Sequence, residues 1–377
     1  MGQRSSEFQK PEGKTFSLTQ SPNGPTPIMD SVENSSSVNP HQCPLTANMT
    51  SPSVVHIPYL LSDSLTALLS IAGNLFICTV ILRNRKLRST VTNYFLLSLA
   101  VADFLVGAVV IPCAQFTDVG LPQSRPQLCL LMLCLLLMFT QASIFGLLAI
   151  AVERYISILK PFQYQSLLSP RNSLLVIAAS WLLSILTGLV PVMGWHDPLP
   201  PSRECLFNSI ITNAYMVYFN FMMCMLVPLV VMLMLYGRIF LEIRRQIRKV
   251  AEGEVNISAQ RRRRIIAHKE MRTATSLFII LFFFILCWLP LHILNTVMLL
   301  CPSCCIPSQL SLATIILSHA NSAINPVVYV FRVRSFRDAL GSTLLCICGS
   351  GPLPASGTMP ANILEVPPLH NTFLPGK

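Results

Sequence analysis

Between Cys287 and Asn295 the chain reads Cys-Trp-Leu-Pro-Leu-His-Ile-Leu-Asn inside an otherwise apolar run. Trp288, Leu291, His292 and Asn295 are spaced i, i+3, i+4 and i+7, so a helix here presents an indole, an imidazole and a carboxamide on one face. Such a face can stack on a ring and offer a hydrogen-bond donor and an acceptor together. Ser318, Asn321, Ser322 and Asn325 repeat the spacing, with His319 alongside and Pro326 and Tyr329 following. Asp103 lies in Leu99-Ala100-Val101-Ala102-Asp103-Phe104, where a carboxylate is costly unless cations or hydrogen-bond donors meet it; an ion site or relay is the expected use. Thr140 and Ser143, Asp63 and Asn74, and Glu153-Arg154-Tyr155 complete the polar set. Its Ser, His and Asp members fall in different layers without a nucleophile motif, which argues against an enzyme.

These side chains need apolar elements to carry them. Of 377 residues, 52% are hydrophobic and only 11% charged, and mean hydropathy is +0.58, too apolar for an ordinary soluble domain. The expectation is an all-α integral membrane protein, a seven-transmembrane helix bundle with a short amphipathic eighth helix. Seven apolar stretches run roughly over Ile57 to Leu82, Val91 to Phe116, Cys129 to Ile158, Ser173 to Gly194, Ala214 to Leu241, Ser276 to Leu300 and Leu310 to Phe331. Together they make a transmembrane domain at 57–331. Pro290 removes a backbone donor and is expected to kink the sixth helix.

Net charge is +11 and the isoelectric point about 9.2, which could signal nucleic acid. The placement of the basic residues argues otherwise. Arg83, Arg85, Lys86 and Arg88 follow the first stretch, Lys160 and Arg171 flank the loop after the third, and Arg238 to Arg272 crowd the loop after the fifth. The alternate loops hold little beyond Arg125 and Arg203, so the positive-inside rule puts the amino terminus outside and the carboxyl terminus inside. The charge is then mostly a topology signal, and no nucleic-acid partner is expected.

Residues 1–56 are rich in Ser, Pro, Asn and Thr and read as a disordered outer tail, with glycosylation sequons at Asn34 and Asn48. Asn256 also fits the sequon, but orientation excludes it. No apolar signal segment precedes the first helix, which is expected to direct insertion itself. Residues 332–348 mix basic and apolar positions, as an amphipathic helix on the inner leaflet does, and Cys346 and Cys348 are candidates for acylation. Residues 349–377 read as a flexible cytoplasmic tail.

Orientation also orders the polar residues in depth. His292, Asn295, Ser318 and His319 lie toward the outside, Asp103 and Asn325 mid-membrane, and Arg154 inside, near Glu270 at the start of the sixth helix. On the oxidising face a Cys129–Cys205 bridge is expected. Cys301 can close a small loop with Cys304, with Cys305 as the alternative; spacing does not choose, and Cys301–Cys304 is the pairing carried forward.

Taken in order, Gly73-Asn74, Leu99 to Asp103, Glu153-Arg154-Tyr155, Trp181, Cys287-Trp288-Leu289-Pro290 and Asn325-Pro326-Val327-Val328-Tyr329 resemble rhodopsin-like G-protein-coupled receptors. Thr140 to Phe145, Tyr215 to Phe221, Trp288 to Ile293 and Leu317 to Ser322 resemble adenosine receptors within that family. The resemblance covers about Asp63 to Arg337.

It implies roles residue by residue. Phe207 would stack on a purine and Asn295 pair with its edge, with Leu291, Met216 and Ile315 lining the slot. Thr140, Ser318 and His319 would contact ribose above Trp288, while His292 and Asn220 hold less direct pocket positions. Asp63 stands where the family has a glutamate supporting the histidine of the seventh helix. Asp103, Ser143, Asn321 and Asn325 match an allosteric sodium site. Glu153, Arg154 and Glu270 match an inner ionic latch, and Tyr236 and Tyr329 the tyrosines that rearrange on activation. One departure is Asn208, where several adenosine receptors carry a glutamate; an amide accepts a hydrogen bond without charge assistance, so binding is expected to be weaker.

The implied ligand is adenosine or a related nucleoside. A heterotrimeric G protein acting on adenylyl cyclase, membrane lipid, and homo- or hetero-oligomers are the implied partners, and the plasma membrane is the location. The rivals are a rhodopsin-like receptor for another purine or a lipid, an orphan receptor, and a transporter. Against the transporter stands the absence of paired repeats.

Overall fold

The computed structural model describes residues 52–198, 203–252, 257–332, 336–338 and 341, with some side chains near the ends and in the loop between the fifth and sixth helices left aside. The glycosylation sequons at Asn34 and Asn48, the acylation candidates Cys346 and Cys348, both tails and most of the expected amphipathic helix lie outside them, as does the side chain of Glu270.

Seven long helices organise these residues: α1 (Pro52–Arg83), α2 (Val91–Asp118), α3 (Pro126–Leu159), α4 (Pro170–Gly188), α5 (Tyr215–Arg248), α6 (Ala274–Leu300) and α7 (Ser308–Arg332). α1 packs on α2, α2 on α3, α3 on α4, α5 on α6 and α6 on α7; α7 closes on α1, and α3 also packs on α5, making it the central helix of the bundle. The end at which α1 begins is called upper below.

The packing inverts that of a soluble protein. Leu61, Leu65, Leu68 and Leu69 of α1 and Leu174, Leu175, Leu182 and Leu186 of α4 are exposed. Asp63, Ser70, Asn74, Asp103, Ser143 and Glu153 are buried. Hydrocarbon outside and hydrogen-bonding groups inside is the arrangement a bilayer demands. Six helices are long and apolar enough to cross a membrane, and α7 is not among them. Its composition carries the polar row Ser318, His319, Asn321, Ser322 and Asn325, every member of which is buried against the bundle. With 25 residues it retains the length to span a bilayer.

Local sequence explains the helix ends and irregularities. The Ser169 hydroxyl accepts from the Asn172 N–H to cap α4, with Pro170 at the first helical position. Wider π turns occupy Val106–Val110 in α2 and Tyr215–Leu226 in α5, next to Pro112 and Pro228, which lack N–H donors. Small residues set two close crossings. A Cβ on Gly73 would stand 2.9 Å from Pro326 of α7, and one on Gly188 2.7 Å from the Cα of Met138 in α3.

Three expectations are corrected. The fourth helix ends at Gly188 rather than Gly194: a 3-10 turn over Val190–Met193, with Pro191 near its start, follows and the left-handed Gly194 closes it. The third begins at Pro126, a turn before Cys129. The basic loop after the fifth stretch is largely helix: α5 continues as helix to Glu252, and the helix containing α6 starts at Ile257. Arg, Lys, Gln and Glu are good helix formers, so α5 and α6 extend beyond their apolar spans. Pro290 lies within the helix containing α6.

Candidate functional site

The upper end is built around a disulfide. Cys129 on α3 is bonded to Cys205, and both are fully buried in an apolar cluster with Leu133, Leu137, Ile211 and Tyr215. This bond fixes the loop before α5 on the bundle, and two residues later Phe207 starts a short helix, Phe207–Ile210, and packs against the same cluster. Asn208, beside it, is exposed. Cys301 and Cys304 close the tight loop between α6 and α7.

Beneath this cover, α6 and α3 carry buried polar groups that lack protein partners. His292 is 1% exposed, and neither ring nitrogen is hydrogen-bonded. Its ring lies between Phe221 at 4.7 Å and Trp288 at 5.9 Å, nearly parallel to both. The Trp288 Nε1–H and the Gln141 carbonyl oxygen are also buried without partners. Asn295, one turn above His292, is buried, and its carboxamide makes no hydrogen bond among the described residues. Leaving such groups unpaired costs about 1–3 kcal/mol each, so this concentration is a feature that stability alone does not favour. It marks a place where a polar ligand or water completes the bonding.

Other expected pocket residues have local partners. Thr140 donates to the Leu136 and Leu137 carbonyls and Ser318 to that of Ile315, so both hydroxyl hydrogens are committed while their oxygens can still accept. Met216 and Asn220 are buried and Ile315 partly so. Asp63 reaches His319: Nδ1 donates to Oδ1 over 2.8 Å, while the second carboxylate oxygen, also buried, has no partner.

The middle layer centres on Asp103. Its Oδ1 accepts from Ser143 at 2.7 Å and Ser322 at 3.0 Å, and its Oδ2 from Asn325 at 2.7 Å. All three donors are neutral. Asn321 is buried on the same face of α7. The buried Asp103 carboxylate lies beside the Ser143 and Ser322 hydroxyl oxygens, which are hard donors, while Asn325 turns its N–H to it. Ser70 donates to the Asp103 carbonyl, and Asn74 donates to the carbonyls of Ser70 and Ser322, tying α1, α2 and α7 around it.

At the lower end Arg154 is held by its neighbour. Its Nε donates to Glu153 at 2.6 Å, and its guanidinium also bonds the Thr92 hydroxyl. Glu153 further accepts from Thr92 at 2.8 Å and from Tyr164 at 2.9 Å. Burial, reinforced by the adjacent Glu153 charge, pushes the Tyr164 phenol up to about 12, so it stays a donor. Tyr236 and Tyr329 are buried nearby in the core, and the Tyr329 hydroxyl has no partner. An open cavity of about 460 Å³ lies below, lined by Ile158, Lys160, Pro161, Phe162, Glu242 and Gln246. The upper site is the better ligand candidate, because the stacked Trp288 and His292 rings both carry unpaired buried nitrogens there.

Sequence reasoning passed over Thr92, Tyr164, Gln141 and Phe221. Thr92 and Tyr164 lie outside any polar periodicity, and only the fold brings them to Glu153. Ser322 was legible as part of the row on α7, though not as an Asp103 ligand.

A seven-helix bundle with an upper polar site, a buried carboxylate and an arginine latch defines a seven-transmembrane receptor. Residues 73–329 match the family "7 transmembrane receptor (rhodopsin family)". Over 300 residues the chain is 41% identical to "Adenosine receptor A2a" of Equus caballus, covering 76% of this chain and 72% of that one. It is 41% identical over 293 residues to the Homo sapiens A2a receptor (74% and 70% covered), and 40% over 300 residues to "Adenosine receptor A2b" of Gallus gallus (74% and 86%). The chain belongs to the adenosine receptor family of rhodopsin-like, multi-pass membrane receptors.

Proposed function

We propose that this receptor sits in the plasma membrane with its upper end outside, binds extracellular adenosine among α3, α6 and α7, and activates a heterotrimeric G protein that alters adenylyl cyclase activity. The observation that carries this reading is the unpaired carboxamide of Asn295 above the His292–Trp288 stack, in a chain 41% identical to adenosine receptors. A carboxamide offers a donor and an acceptor side by side, the complement of an adenine edge. Phe207 supplies an aromatic face from the disulfide-anchored loop, and Leu291, Met216 and Ile315 supply apolar walls.

A ligand shifts a two-state receptor only by its differential affinity. Ribose hydroxyls donating to Thr140 and Ser318 and meeting His319 would draw α3 and α7 together over Trp288. Signal transfer then consists of rearranging Tyr329 and Tyr236, releasing Arg154 from Glu153, and opening the lower end. Sodium bound by Asp103, Ser143, Ser322, Asn321 and Asn325 would favour the resting state, making ion and agonist reciprocal competitors through conformation. No catalytic step is needed.

One observation favours a second reading, a nucleoside or other ligand different from adenosine: exposed Asn208 beside Phe207 supplies no charge for an exocyclic amine. A cyclic-nucleotide assay separates the two. Adenosine is expected to change cyclic AMP in cells displaying the parent chain, and Asn295→Ala to abolish the response at equal display. Retained potency in that variant, or response only to other ligands, defeats the adenosine model.

A further inference from the structure

One face of α1 is polar over about four turns. Tyr59, Asp63, Thr66, Ser70 and Asn74 are spaced i, i+4, i+7, i+11 and i+15, and all five are buried, while Leu61, Leu65, Leu68 and Leu69 are exposed. Four of the five bond other helices, and their partners alternate. The Tyr59 phenol donates to Asp118 Oδ2 at the end of α2, Asp63 accepts from His319 on α7, Ser70 donates to the Asp103 carbonyl on α2, and Asn74 donates to the Ser322 carbonyl on α7. α1 is thus a strap that ties α2 to α7.

The lower part of the strap is fixed by close packing. A Cβ on Gly107 of α2 would stand 2.9 Å from the Ala67 carbonyl oxygen and 3.0 Å from the Ser70 Cβ, so α1 and α2 nearly touch one turn below Asp63. Above that crossing the polar bonds to α2 run through longer side chains. Tyr59 meets Asp118 at 2.6 Å, and the Gln115 carboxamide donates to the Ser64 hydroxyl at 3.1 Å and the Leu60 carbonyl at 3.5 Å. The Tyr59 bond has the length of a charge-assisted O–H···O⁻ bond, about 2.5–2.7 Å, roughly twice as strong as a neutral one.

Asp63 lies between these two levels, one turn below Tyr59 on the same face. A single methylene joins its carboxylate to the backbone, so its reach to His319 is set by where α1 stands. N–H···O bonds fall at about 2.7–3.2 Å, and a displacement of roughly half an ångström takes the 2.8 Å bond out of range. The other carboxylate oxygen has no protein partner to hold it. We propose that Tyr59 and Asp118 are positioning residues of the upper site: their bond clamps the upper part of α1 to α2 and thereby sets Asp63 at bonding distance from His319. The clamp acts on ligand through Asp63, so it rests on the proposal above that His319 meets the ligand.

Radioligand competition by adenosine on membranes carrying the full chain tests it. Tyr59→Phe, which loses only a hydroxyl, and Asp118→Ala should each weaken binding roughly three- to tenfold. The double variant should lose no more than either alone, because they share one bond. Asp118→Asn keeps an acceptor oxygen and should restore most of the affinity. In an Asp63→Ala background, Tyr59→Phe should cost less than about twofold further. A pair that only supports the fold would cost the same in both backgrounds. An undiminished loss there, or parent affinity in both Tyr59→Phe and Asp118→Ala, overturns the clamp. A parent chain that binds no adenosine defeats the adenosine model instead, and the clamp is then read without ligand. In detergent, Asp118→Ala should lower the melting temperature of the parent and lower it less in a His319→Ala background; equal drops in the two overturn it.

Discussion

Asp63 and His319, 256 residues apart in the chain, join α1 to α7 through a 2.8 Å hydrogen bond. The bond aims the imidazole by fixing which ring nitrogen carries the proton, and leaves Nε2 for the site. Asp63→Ala removes the acceptor and leaves a buried N–H unpaired, at a cost of about 1–3 kcal/mol. Adenosine affinity should fall roughly tenfold or more by radioligand competition, since 1.4 kcal/mol is a factor of ten. Asp63→Asn keeps an acceptor oxygen at the same position and should recover most of the loss.

His292 provides a test of whether unpaired polarity is held for the ligand. Replacing it by Phe removes two buried nitrogens without partners and preserves an aromatic ring between Phe221 and Trp288. The ligand-free receptor should gain thermal stability in detergent, or at least lose none, because no desolvated polar atom remains. Adenosine potency should fall at the same time. A lower melting temperature in His292→Phe would show that the imidazole is already satisfied in the resting bundle.

The neutral ring of donors around Asp103 sets an ionic prediction. In the parent chain, replacing choline chloride by sodium chloride should weaken agonist binding several-fold and leave antagonist binding nearly unchanged. Asp103→Asn removes the charge that attracts the cation, so agonist affinity should become insensitive to the exchange. Equal sensitivity in both chains would remove sodium from the mechanism.

At the lower end, Glu153 gathers Arg154, Thr92 and Tyr164. Glu153→Gln weakens the charge-assisted bonds that hold the guanidinium, each worth about 1.5–3 kcal/mol when partly buried. Basal cyclic-AMP signalling without ligand should rise several-fold at matched surface display. Thr92→Ala, which removes one neutral partner, should give a smaller rise.

Gly73 tests the α1–α7 crossing. Any Cβ there meets Pro326 at 2.9 Å, and a proline ring in a helix cannot move aside as a flexible side chain does. Gly73→Val should reduce surface display and lower the melting temperature measured in detergent. Gly237→Ala, where nothing lies within 4 Å of a new Cβ, should leave both unchanged.

Composition and spacing determined the class of the fold and much of the site. Apolar runs of bilayer length have few structural options, since every backbone group must be paired within the helix. Basic residues at alternate loops supplied an orientation, and an i, i+3, i+4, i+7 row on an apolar helix had to face inward because polar groups in hydrocarbon are costly. Trp288, His292 and Asn295, and the α7 row from Ser318 to Asn325, were visible for that reason. The tertiary structure alone decided what these rows meet. Phe221 on His292, Ser322 on Asp103 and Thr92 on Glu153 are contacts between helices whose residues lie 61 to 219 apart, fixed by crossing and register that no local spacing encodes, and Tyr164, 11 residues from Glu153, is turned back onto it by the short helix Pro161–Leu167. The same holds for the cysteines: sequence left Cys301 two partners, and loop geometry chose Cys304. The extended ends of α5 and α6 escaped notice because their Arg-rich turns leave the bilayer, where hydropathy no longer marks a helix.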